Sequence, residues 1–257
     1  MRYPFMTAVT LLAGLIAVPV QAEEANAKKV ENASDFAISG NVALASNYVS
    51  RGITNSDKHP SLQGAATVSH TPSGIYATLS AFSVDFQAAN NANLELDYAA
   101  GWSKEILFPG FKPDLGVIHY TYPGVAAVNH LDYTEYYLGA AYKLQSLGMN
   151  AKYSYSANFG GDNLVVPSNK SAYYLEGALT YDLPYEIMAA GHMGHTAGDH
   201  FKGTGAPESY NDYTLGLSKE VFGFGVDLSY NFTDRDGRKL NLANSDDQLA
   251  MKVSKSF

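Results

Sequence analysis

Asp246-Asp247-Gln248-Leu249-Ala250-Met251-Lys252-Val253-Ser254-Lys255-Ser256-Phe257 closes the sequence. Leu249, Met251, Val253 and Phe257 fall on one parity, and Gln248, Lys252, Ser254 and Ser256 fall on the other. Period-two alternation makes a strand with one apolar and one wet face. A final strand that ends on an aromatic suits a transmembrane β-barrel. Such a strand must close the sheet against the first, and its terminal ring, here Phe257, belongs in the interfacial girdle. Lys255 interrupts the apolar parity, but near an interface a long side chain carries its charge out to water at little cost.

Composition agrees with that reading. Of 257 residues 46% are hydrophobic and only 16% charged, against about 25% charged in ordinary soluble domains. Beyond the first two dozen residues no stretch is long and apolar enough for a membrane helix, which needs about 20 residues. Tyr occurs 19 times, and its amphipathic ring is favoured where a surface passes from hydrocarbon to water. A net charge of −8 argues against a nucleic-acid partner, whose phosphates call for a basic stripe. Without Cys, no disulfide framework holds the fold.

The amino terminus has the form of an export signal. Arg2 precedes an apolar run from Thr7 to Val18, and Val20-Gln21-Ala22 is a small-residue cleavage site. Residues 1–22 are therefore expected to be a cleaved signal peptide, 23–35 a flexible periplasmic leader, and 36–257 an outer-membrane barrel.

Within 36–257 the alternation predicts twelve antiparallel strands. The first runs from Phe36 to Ser50, with Phe36, Ile38, Val42, Leu44 and Tyr48 on the apolar parity. Met149 to Ser156 is the cleanest, setting Met149, Ala151, Tyr153 and Tyr155 against Asn150, Lys152, Ser154 and Ser156. Ile75 to Phe86 is apolar on both parities and the least regular. Short turns near residues 72, 108, 146, 183 and 221 alternate with longer connections rich in Gly, Asn and Asp. An outer-membrane barrel sorts its loops in this way, with short periplasmic turns and longer extracellular loops.

Ser46-Asn47-Tyr48-Val49-Ser50-Arg51-Gly52-Ile53-Thr54, followed by Ser56-Asp57 and Gln63-Gly64, resembles the TorF family of outer-membrane porins, a proteobacterial family of Gcw_chp type. Tyr120 to Gly124, Thr134-Glu135, Lys152 to Ser156 and Val253 to Phe257 resemble it at matching places, in order, over nearly all of the mature chain. The resemblance implies a barrel and a diffusion channel, and it carries over no substrate and no binding residue.

If the apolar parity faces lipid, the other lines the interior. The lining residues are then Glu95, Asp97, Glu135, Glu176, Glu186, Asp212 and Asp227 among the acids, and Lys143, Lys152 and Lys252 among the bases. An acidic lumen favours cations or neutral polar solutes. The competing reading pairs these charges across a narrow barrel that is packed shut. Arg51 and Asp57 lie in the first loop, where Arg51 is the candidate for a constriction; ordering of the loop itself is the plainer role.

The expected function is passive diffusion of small hydrophilic solutes, with no cofactor and no bound metal. The expected partners are outer-membrane lipid and, through the terminal strand, the barrel-assembly machinery. One alternative is a closed barrel whose loops 159–171 and 197–209 bind a surface partner. The other is a phospholipase-like hydrolase using His119 or His195, but the Gly-x-Ser-x-Gly elbow is missing. Asp234-Arg235-Asp236-Gly237 resembles the start of a calcium loop without its later ligands. His195, Asp199 and His200 have no specific metal spacing.

Overall fold

The computed structural model describes residues 35–86, 92–125, 130–161, 170–202, 207–240 and 244–257. The expected signal peptide, all of the leader but Asp35, and the middles of several loops lie outside the described residues. In chain order the strands are β1 (Phe36–Ala45), β2 (Val49–Ser50), β3 (Ile53–Thr54), β4 (Ser61–His70), β5 (Ile75–Ser83), β6 (Leu94–Ser103) and β7 (Phe111–Thr121). They continue as β8 (Tyr133–Leu144), β9 (Leu147–Ser156), β10 (Ala172–Leu183), β11 (Ile187–Ala197), β12 (Ser209–Val221), β13 (Phe224–Thr233) and β14 (Gln248–Ser256). A short helix, α1 (Arg235–Leu240), follows β13.

Apart from the β2–β3 hairpin, these strands form a closed antiparallel barrel of twelve, each paired with its chain neighbours and β14 returning to β1. Along that seam Ala43 faces Ser254 and Asn41 faces Ser256. Phe257 exchanges both backbone hydrogen bonds with Gly40, at 2.8 and 3.0 Å. A Cβ at Gly40 would come within 2.5 Å of the Phe257 ring, so glycine is what lets the terminal aromatic lie flat on the wall. Closure leaves no unpaired strand edge, the condition for burying a sheet in hydrocarbon.

The two faces are chemically opposite. Outward stand Ile38, Leu44, Leu62, Leu79, Leu138, Leu175, Leu179, Leu215 and Leu249, all exposed. Exposed aromatics ring the short-turn end (Phe36, Phe108, Tyr181, Tyr185, Phe222, Phe224, Phe257) and the long-loop end (Tyr136, Tyr155, Tyr230). Facing inward and buried are Glu95, Asp97, Glu135, Ser154, Glu176, Thr196, Asp212, Thr214, Asp227 and Asn231. The core is thus polar and the surface apolar, the inverse of a soluble protein.

Two readings of the sequence need correction. The first strand ends at Ala45, not Ser50, and Tyr48 is buried inside the barrel rather than set in the outer wall. The hydroxyl of Ser46 takes over an N–H of β14, that of Met251, at 2.9 Å, and the chain then turns inward. Glu186 is exposed in the turn between β10 and β11, at φ 61°, and lines nothing. The irregular segment from Ile75 is a barrel strand whose inward residues include the large rings of Tyr76 and Phe82, which blurs its alternation.

Candidate functional site

The site grows from the hairpin. β2 and β3 pair Val49 with Thr54 and Ser50 with Ile53, leaving Arg51 and Gly52 as a two-residue turn. Both have positive φ, 49° and 76°, as the tightest hairpin turns require. Gly52 meets this freely, whereas Arg51 in that conformation costs on the order of 1 kcal/mol. A Cβ on Gly52 would stand 2.5 Å from Thr233 Cγ2 and 2.8 Å from Asp212 Cβ. The tip of the hairpin therefore abuts the inner wall inside the bore.

A polar network fixes the hairpin there. Asn47 hydrogen-bonds Gln248 through its side-chain amide and accepts the Thr54 hydroxyl at 2.5 Å. The Tyr48 N–H reaches Ser56 Oγ at 2.9 Å, and the Thr54 N–H reaches the Asn244 carbonyl at 2.9 Å. The Asp85 N–H donates to the Asn55 carbonyl at 2.8 Å, joining the first loop to the second.

Held in this way, Arg51 crosses the lumen. Its Nη2 bridges both oxygens of Glu135 at 2.8 Å, while the guanidinium lies 4.5 Å from the Tyr174 ring centroid and 5.5 Å from that of Phe159. Carboxylate and aromatic faces together are the usual environment of a desolvated guanidinium. Around it most acids have partners. Glu95 accepts the Tyr48 hydroxyl at 2.8 Å, Glu176 pairs with Lys152 at 2.9 Å, and Asp212 accepts Tyr174 at 3.1 Å. His192 stands between Glu176 (3.3 Å) and Asp212 (3.6 Å). Asp97 is the exception: it is 1% exposed, and among the described residues neither carboxylate oxygen has a hydrogen-bond partner.

The short-turn half of the bore is built differently. Tyr76 and Tyr137 meet hydroxyl to hydroxyl, and Tyr76 donates to Asp114 at 2.8 Å. Each ring lies over a glycine of the next strand; a Cβ at Gly101 would be 2.6 Å from the Tyr76 hydroxyl and one at Gly116 2.5 Å from that of Tyr137. Lys143 pairs with Asp182 at 2.7 Å, and Lys252 stands 3.6 Å from Asp227, long for a hydrogen bond.

The structure thus divides the residues expected to line the interior. Glu95, Asp97, Glu135, Lys152, Glu176 and Asp212 gather near the hairpin; Lys143, Asp227 and Lys252 lie toward the short turns. Tyr48, Tyr174 and His192 are central members that sequence reasoning passed over. The signal for Tyr174 was present, since it shares the wet parity with Glu176. Tyr48 gave none, because its parity pointed outward along a strand that ends before it.

The other candidates do not gather a site. His119 bonds Thr134 at 2.9 Å and His195 bonds Asn211 at 2.8 Å, both on the outer wall, and among the described residues no serine hydroxyl bonds either ring. Asp234 accepts the N–H groups of Asp236 and Gly237 at 3.1 and 2.9 Å and caps α1. Asp57, His59 and Asp85 place donor atoms within 4.8 Å of one another at the long-loop rim. His59 is mostly exposed there and sits 3.5 Å from Asp85.

A closed twelve-stranded sheet with an apolar exterior and a charged interior defines a transmembrane β-barrel of the porin shape. The chain belongs to the Gcw_chp family, described as a bacterial protein of unknown function, whose model matches residues 29–257. The KdgM porin overlays with a TM-score of 0.53 at 9% identity, covering 86% of this chain and 97% of the porin. A chain solved in work on in-meso crystallization of membrane proteins overlays with a TM-score of 0.50 at 10% identity, covering 85% and 83%. At such identities the likeness concerns the fold. No curated protein matches the sequence.

Proposed function

We infer that this protein is an outer-membrane channel for passive diffusion of small hydrophilic solutes, narrowed by the β2–β3 hairpin. The carrying observation is a tube with a greasy outside and a charged, hydroxyl-rich inside, into whose bore one loop is folded. The short turns face the periplasm and the long loops the cell exterior, as loop lengths in such barrels favour. Export by the segment 1–22 and insertion by the assembly machinery through β14 belong to the same reading. The resemblance to the TorF porins and the overlay on the KdgM porin support it at the level of class.

Glu95, Asp97, Glu135, Lys143, Lys152, Glu176, Asp212, Asp227 and Lys252 line the path in this proposal, with Arg51 at the constriction. Acids outnumber bases along it, so cations pass more readily than anions of equal size. We assign no reaction and no cofactor. Single-channel recording in planar bilayers tests this. Stepwise currents are expected from the wild type, larger ones from Arg51→Ala, with reversal potentials displaced toward the cation in a salt gradient. If neither protein gives steps above background, the channel reading fails.

A second reading has one observation in its favour. Glu95, Asp97, Glu135 and Asp212 are each 1–2% exposed, so at the level of the hairpin these side chains are packed out of contact with water. A permanently closed barrel that binds a partner through its long loops would look the same. Liposome swelling with sized sugars separates the two: the closed barrel admits none even after the Arg51 side chain is removed.

A further inference from the structure

The interior near the hairpin carries more negative charge than its own cations neutralise. Arg51 is matched to Glu135, Lys152 to Glu176, and His192 lies beside Asp212. Glu95 and Asp97 remain, two residues apart on β6 and both directed inward. Glu95 has the Tyr48 and Tyr122 hydroxyls. Among the described residues Asp97 has neither a hydrogen bond nor a cation of its own, although it is 1% exposed and lies within electrostatic reach of Glu95 and Glu135. An ionised carboxylate held out of water without a partner is strongly disfavoured, and near two others more so. The phenol groups of Tyr48, Tyr120, Tyr122 and Tyr133 lie within electrostatic reach of Asp97. Carboxylates close to the aromatic faces that already hold Arg51, those of Tyr174 and Phe159, are an environment for an organic cation.

Arg51 identifies which cation. Its guanidinium is held by one carboxylate and two aromatic faces, and it also feels the field of Glu95. It is delivered by a turn conformation that an arginine adopts only at a cost. We propose that the lumen around Glu135, Asp97 and Tyr174 is a recognition station for solutes bearing a guanidinium group, and that Arg51 is a tethered occupant with which the free solute competes. This rests on the channel reading for its purpose: a passing solute would exchange with Arg51, and Asp97 would supply the second carboxylate that the tethered group leaves unused. A planar guanidinium with several N–H donors can span both acids, whereas an ammonium of equal charge presents a point.

The test is chemical rescue, read as binding and not as transport. Refolded Arg51→Ala in detergent micelles is titrated with ethylguanidinium at low millimolar concentration, with ethylammonium and sodium as controls. Expected are a saturable rise in thermal midpoint and a calorimetric binding isotherm for ethylguanidinium. Ethylammonium should bind at least about tenfold more weakly, and wild type, where Arg51 competes for the station, should respond to ethylguanidinium only at higher concentration than Arg51→Ala does. Asp97→Asn in the Arg51→Ala background should lose the isotherm. If Arg51→Ala does not refold, Arg51→Gln, which keeps most of the stem, takes its place. Equal response to ethylammonium and ethylguanidinium, or an isotherm that survives Asp97→Asn, overturns the proposal.

Conductance of the same preparations separates this idea from the one beneath it. Steps without a guanidinium isotherm sink the station and leave the channel standing. An isotherm without steps upholds the station and sinks the channel.

Discussion

In the long-loop half of the bore, the acids are buried to a few percent, and several are met by groups from outside their own strand pairs: Glu95 by the Tyr48 hydroxyl, Asp212 by Tyr174 from two strands away, and Glu135 by the guanidinium of Arg51. In the short-turn half, Lys143 and Asp182 pair while 37% and 32% exposed, and the inward Ser39, Asn41, Gln63 and Thr67 of β1 and β4 retain contact with solvent. The two halves share strands, alternation and an outer wall. They differ because one receives an inserted hairpin and the other does not. Closing a barrel of this strand number leaves a bore that its own side chains do not fill, and a loop then decides where it narrows.

The sharpest way to break the contrast is to remove the inserted charge. Arg51→Ala leaves Glu135, 3% exposed in its side chain, without its cation. Its unfolding free energy in urea is expected to fall by about 3–5 kcal/mol. A loss below about 1 kcal/mol would mean the pair behaves as a surface pair and the bore at that level is wet.

Steric substitutions come next. A Cβ at Gly194 would run into the Tyr174 ring, while one at Gly177, on the neighbouring strand but facing out, meets only Asn150 O at 3.6 Å. Gly194→Ala should cost about 1–3 kcal/mol and Gly177→Ala no more than about 0.5 kcal/mol, both read from urea midpoints. Equal effects would deny that the packed half is packed. Smaller again is Lys143→Met in the short-turn half. Its half-exposed pair with Asp182 should be worth less than about 1 kcal/mol and less still in high salt.

The smallest effect lies outside the wall. Burial alone would raise the Asp234 carboxyl, but the N–H donors of Gly237, Asn211 and Asp236 together hold it below the usual carboxylate range. A depressed folded value means the tie is complete above the ordinary aspartate pKa of about 3.9 and is lost as pH falls through the lower folded value. Hydrogen exchange at residues 235–240, corrected for intrinsic rates, should therefore accelerate only in acid and only at that loop. Asp234→Asn should abolish the dependence.

The barrel was legible because a sheet facing lipid on one side and a polar bore on the other must alternate, and strands such as Met149 to Ser156 record that constraint residue by residue. Loop lengths added the topology. Where large rings face inward, as with Tyr76 and Phe82 on β5, the alternation blurs, because polarity no longer distinguishes the two faces. The division of the inward charges was hidden for another reason. Glu176 and Lys152 are opposed across one hairpin, within reach of local register. Arg51 and Glu135 are separated by 84 positions, and nothing local links them.

By itself the sequence determined which side chains face outward and which inward, and hence that the chain closes into a membrane tube, since period two is enforced at every strand by the solvent on each face. Only the tertiary structure decided that residues 46–56 leave the wall, turn into the bore and set Arg51 against Glu135 and Tyr174. The path of a loop depends on what the closed barrel offers it inside, and those contacts exist only once β1 and β14 have met.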